Sequence, residues 1–144
     1  MDPTDTRPRG GPPPPDDRAL LDRAAEAQVS ANAARAAVLE TVRLFHANRV
    51  AEAEAAKRSQ PAFFALTPLE ATKAEFGPLL VMGNRRIEMD LQLVQDLHRF
   101  FPRMWQTCLS GRLDVGRAAV ATSYLPQLTN DDDRTVGRPI AVGS

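Results

Sequence analysis

Few side chains in this sequence have the makings of chemistry. His46 and His98 are its two histidines, Cys108 is its one cysteine, and eighteen basic residues are matched by eighteen acids over 144 positions. Nucleophilic catalysis needs a hydroxyl or thiol beside a base that a third group orients, and neither histidine accompanies a recognisable nucleophile turn. His98 falls between Val94 and Phe101 on an apolar helical stripe, where an imidazole is expected as a partly buried core residue with one hydrogen-bond partner. His46, beside Phe45, is read the same way. Cys108 shares a face with Met104 and Trp105 and reads as a small core hydrophobe, because an activated thiolate needs exposure and nearby positive charge. A single cysteine also excludes a disulfide framework and a cysteine-rich metal knuckle. Gly77, Gly83, Gly111 and Gly116 fit neither the dinucleotide-binding nor the P-loop spacing. No catalytic residue, metal ligand or cofactor is expected.

Arginine placement carries the remaining promise. Arg85 and Arg86 open a helix after the Gly83–Asn84 turn, where side chains and free amides can meet DNA phosphate. Gln92, Gln95 and Arg99 follow on the polar face of the same helix. The expectation is that Arg85, Arg86 and Arg99 contact phosphate while Gln92 and Gln95 read bases of double-stranded DNA. A solvated face competes with this reading. Between residues 85 and 117 six arginines meet four acids, Glu88, Asp90, Asp96 and Asp114, and i,i+4 pairs such as Arg86 with Asp90 would occupy the charge. The overall balance of zero excludes a uniformly basic coat.

The elements that must hold these groups are helices. Alanine is abundant and β-branched residues never cluster into an alternating run, which favours an all-α fold. Residues 1–17 hold half of the twelve prolines, including Pro12 to Pro15, and lack bulky apolar groups, so they are expected as a disordered tail. Asp17 to Arg58 contains no proline or glycine and reads as one long Ala-rich helix, with Val38, Leu39, Val42, Phe45 and Val50 in its second half. At about 1.5 Å per residue it would span roughly 60 Å, so it is expected either to break near Ser30 and Asn32 or to pack against another chain.

Thr67, Pro68 and Glu70 form a capping box that starts the next helix, with Leu69, Ala74 and Phe76, and Gly77-Pro78 should interrupt or end it. Asn84 is expected to cap a helix whose apolar stripe reads Ile87, Leu91, Val94, Leu97, Phe101. Pro102 begins a further helix, Gly111 sits where a left-handed cap belongs, and Asp114 should cap a last helix with Ala118, Ala121 and Leu125 inward. The helical domain is expected over 18–134, about five helices in all. Its last three form a bundle around Leu91, Val94, Leu97, Phe101, Trp105, Leu109 and Leu125, with a mobile tail over 135–144.

The stretch from Ile87 to Val120, followed by LPQLTNDDD, resembles the helical N-terminal region of the 13E12-repeat family of actinobacterial proteins, the domain of unknown function 222. The matching elements are Phe101-Pro102, Met104 to Ser110, Gly111-Arg112-Leu113-Asp114, Gly116 to Val120, and Leu128 with Asp131 to Asp133. The likeness covers residues 67–134, and 18–58 by composition. Many members carry a C-terminal HNH nuclease, whose chemistry needs a histidine base and a second set of ligands around a divalent metal. With only His46 and His98 and about ten residues after Arg134, this sequence has no such module. The resemblance therefore implies a non-enzymatic, DNA-associated family domain, a truncated copy without the cutting part. The alternative is a protein-interaction or homo-oligomerisation module in which the long helix pairs with another copy. The start lacks the apolar run of a signal peptide and no stretch approaches the ~20 apolar residues of a membrane span, so a cytoplasmic protein without membrane contact is expected.

Overall fold

The computed structural model describes residues 11–59 and 66–127. The expectations for residues 1–10 and for the tail 135–144 lie outside the described residues; residues 11–16 are exposed and without regular structure. The fold is all-α, and among the described residues five helices follow in order: α1 (Asp17–Ser59), α2 (Pro68–Leu80), α3 (Asn84–Phe100), α4 (Pro102–Leu109) and α5 (Val115–Thr122). No strand occurs among the described residues.

α1 does not break. It runs for 43 residues, about 64 Å, straight through Ser30 and Asn32. Asn32, whose side chain can compete with the helix backbone, is instead committed elsewhere: its Nδ2 donates to the Gly111 carbonyl at 3.1 Å, and its Oδ1 accepts from Gln28 Nε2 at 2.9 Å. From Asn32 onward α1 meets the bundle, burying Ala36, Leu39 and Val42 against α2, α3 and α4. The first turns, from Asp17 to about Gln28, stand clear of the bundle, with Leu20 and Leu21 exposed.

The capping box forms as its residues dictate. Glu70 N–H donates to Thr67 Oγ1, and Thr67 N–H to Glu70 Oε2, both at 3.1 Å. Pro78 does not end α2, which continues to Leu80; the helix stops at Val81, which takes a left-handed conformation (φ 53°) and donates its N–H to Gly77 and Pro78 carbonyls. Thr72, not Ala74, lies in the core, its hydroxyl returned to the Pro68 carbonyl at 2.7 Å. Phe76 meets Phe45 of α1 edge to face, centroids 5.2 Å apart. α3 is capped by Gly83 and not Asn84, which is the first helical residue and makes no capping bond.

The apolar stripe of α3 buries Ile87, Leu91, Val94 and Leu97 as its spacing requires. Trp105 and Cys108 of α4 and Val115 and Ala118 of α5 close the core, with Phe101 and Leu109 partly buried at its edge. Burial and the nearby Asp114 charge push the Cys108 thiol up, the state of an inert core residue. His98 departs from its expected place and is exposed. The indole of Trp105 completes the core beside Leu97, and His98 is left at the rim within electrostatic reach of Glu40.

Candidate nucleic-acid interface

The five residues singled out on α3 do not share one surface. Arg85, Gln92 and Arg99 recur every seven residues, two helical turns, and form one exposed ridge about 21 Å long. Arg99 stacks its guanidinium over Phe100, 5.0 Å from the ring centroid, and Gln92 donates to Asp96 Oδ1 at 3.0 Å. Arg86 and Gln95 turn away along opposite flanks. Gln95 is half-buried against α1, its Nε2 3.4 Å from His46 Nδ1, and burial holds the His46 ring toward its neutral form. That partner explains why Gln95 does not face solvent: the polar stripe of α3 is wider than the strip α1 leaves uncovered.

Arg86 pairs with Asp90 as its i,i+4 spacing suggests, Nε to Oδ1 at 3.1 Å. The other oxygen of Asp90 accepts from Arg35 Nη2 of α1 at 3.0 Å. Asp90 itself is 7% exposed, so two guanidiniums offset the cost of desolvating one carboxylate and tie α1 to α3. Sequence reasoning missed Arg35 and missed the burial of Asp90. The available signal was spacing, since Asp90 lies three residues after Ile87 and four before Val94, inside the apolar stripe. Beside this ion triad lies a cleft of about 380 Å³ floored by Leu93, Val115 and Ala119.

The amino end of α3 has no side-chain cap and no acid in its first turn, so the positive end of the helix dipole is not neutralised locally. Arg85 stands exposed there and makes no ion pair among the described residues. The charge of the ridge is nonetheless mixed: Asp96 lies on it, and Glu88, paired to Lys73 at 2.9 Å, lies beside it.

A second polar cluster joins α1 to α4. Glu40 accepts from the Trp105 indole N–H at 2.8 Å and from the Arg43 guanidinium. The Arg43 hydrogen bond holds the Glu40 carboxyl below the usual carboxylate range; burial opposes this, while the indole, the charge of Arg43 and that of His98 reinforce it. Because the folded carboxyl has the lower pKa, its stabilising contribution is complete above the unfolded value of about 4.3 and is lost as pH falls through the folded value. The difference in unfolding free energy between the parent chain and Glu40→Gln, measured by urea titration, should therefore be constant above about pH 5.5 and shrink steadily toward pH 3. A difference that stays flat to pH 3 would contradict this coupling.

Among the described residues no group of three or more His, Cys, Asp or Glu side chains is placed to hold a metal ion, and no helix is long and apolar enough to cross a membrane. Compared with family models, curated proteins and solved structures, the chain matches none.

Proposed function

We propose that the chain is a non-catalytic helical module that associates with double-stranded DNA, of the kind found at the N-terminal end of 13E12-repeat proteins that carry an HNH nuclease. The observation that supports it is the exposed line of Arg85, Gln92 and Arg99 leading from the uncapped amino end of α3. Backbone amides and guanidiniums at such an end suit phosphate, and Gln92 stands between the two arginines where a base edge would lie. Arg86 is reassigned to holding Asp90, and Gln95 to His46, so neither belongs to the contact surface.

Each phosphate contact removed should lower the slope of log affinity against log salt by about 0.9. Arg85→Ala with Arg99→Ala should weaken binding to a short duplex and flatten the salt slope by nearly two, followed by fluorescence anisotropy between about 50 and 200 mM salt. Arg86→Ala should chiefly lower stability. If the double variant binds with unchanged affinity and slope, or the parent chain does not bind duplex, the DNA reading falls.

A second reading, a protein-interaction module without a nucleic-acid role, is favoured by a different observation: α1 carries Leu20 and Leu21 on turns that rest on no other helix, 47% and 66% exposed.

A further inference from the structure

We infer that the free turns of α1 pair antiparallel with the same turns of a second copy, and that Asp17 of each copy closes on Arg112 and Arg117 of the other. This rests on the second reading above and names its partner. Four features lead to it.

The face of α1 that packs on the bundle does not stop where the bundle stops. Asp17, Leu21, Ala24, Gln28, Asn32, Arg35, Leu39 and Val42 follow one another at spacings of four, three, four, four, three, four and three, a single continuous stripe. Leu39 and Val42 are 1% and 2% exposed, Asn32 holds the Gly111 turn, and beyond Gln28 the same stripe has no neighbour. A stripe that buries its apolar members at one end leaves Leu21 in water at the other.

The free part is short, small-sided and balanced for self-pairing. From Asp17 to Gln28 it measures about 18 Å, and the alanines flanking Leu20 and Leu21 let a second helix approach closely.

Charge selects the occupant. Over residues 16–28 the acids Asp16, Asp17, Asp22 and Glu26 outnumber Arg18 and Arg23, four to two. At the root of the free part Gln28 and Asn32 form one wall of a cleft of about 310 Å³ whose other wall carries Arg112 and Arg117 with one acid, Asp114, two arginines to one carboxylate. Both arginines are exposed, and neither side chain has an ion-pair partner among the described residues. The acidic tip and the basic root lie on the same molecule, too far apart to meet each other along a rigid helix.

Register then follows. Two copies laid antiparallel with Ala24 facing Ala24 set position 17 against position 31, beside Asn32 and therefore beside Arg112 and Arg117. They also set Leu20 against Gln28 and Leu21 against Ala27 of the second copy. One two-fold operation satisfies both apolar and both charged ends, the self-complementarity required of an isologous contact. A parallel pair would bring Asp17 against Asp17.

The contact is smaller than a standard interface, so the association constant should correspond to dissociation on the order of 0.1 mM. Sedimentation equilibrium of the full chain up to about 0.5 mM should show a monomer–dimer equilibrium that weakens with salt. Leu21→Asp should weaken it at least tenfold. Asp17→Arg alone, or Arg112→Glu with Arg117→Glu, should weaken it several-fold, and the combined triple variant should recover most of the loss; circular dichroism verifies that each variant keeps its helix. A dimer abolished by Leu21→Asp but indifferent to the charge reversals overturns the antiparallel register and leaves the interaction reading standing. A strict monomer throughout the range overturns both.

Discussion

Gly111→Ala should lower the stability of the chain by about 2–5 kcal/mol, the sum of a left-handed backbone strain and an overpacked helix contact. Gly111 has φ +82°, and a Cβ placed there would lie 2.2 Å from the Val29 carbonyl oxygen and 2.9 Å from Val29 Cγ1. The oxygen belongs to the backbone of α1, so relief requires the helix itself to move away from the α4–α5 turn, breaking the Asn32 hydrogen bond to the Gly111 carbonyl. For a domain of this size the loss corresponds to a fall of roughly 8–20 °C in Tm, read by circular dichroism. Gly83→Ala is the matched control. Gly83 has φ −70° and nothing within 4 Å of an added Cβ, so stability should change by less than about 1 kcal/mol. Equal Tm values for the two variants would mean that α1 does not rest on the turn as described.

Trp105→Ala should cost about 3–5 kcal/mol, the other large effect. The indole is 1% exposed and the largest fully buried side chain among the described residues. Its Nε1–H also donates to Glu40, so packing and a charge-assisted hydrogen bond are combined in one group. Trp105→Phe separates them: it keeps most of the apolar volume and leaves Glu40 with Arg43 alone, and should cost about 1–3 kcal/mol. Because Trp105 is the sole tryptophan of the chain, unfolding of both variants is followed by circular dichroism and not by indole emission. A cost below about 1 kcal/mol for the alanine variant would remove Trp105 from the core.

Local chemistry in the sequence reached the structure at most places where a neighbour within four residues decides the outcome. Thr67 and Glu70 cap each other, Gly111 adopts the left-handed conformation, Pro102 opens α4, and Ile87 to Leu97 turn inward at helical spacing. Two local readings failed, Pro78 as the end of α2 and Asn84 as the cap of α3; the other failures share a long-range cause. Asn32 looked like a break because its tendency to leave a helix is local, whereas the carbonyl that captures its side chain is 79 residues away. Asp90 was read as half of a surface pair with Arg86, and its burial is set by Arg35, 55 residues distant. Gln95 and His98 exchanged expected environments because the covering surfaces come from α1 and α4, whose angles to α3 no periodicity in α3 encodes. On the polar face of α3, Arg85, Gln92 and Arg99 and the i,i+4 pairing of Arg86 with Asp90 were legible in the spacing; the packing of Gln95 against His46, 49 residues away, was not.

The buried sulfur of α4 has a use that follows from its setting. Cys108 is the one thiol of the chain, it is fully enclosed, and both its enclosure and the negative charge of Asp114 keep it protonated. An alkylating reagent therefore meets a reactive sulfur only when α4 swings out from its neighbours. Nature has in effect placed a single chemical clock at the centre of this bundle, one whose ticking counts the openings of the fold and ignores motion in the free turns of α1.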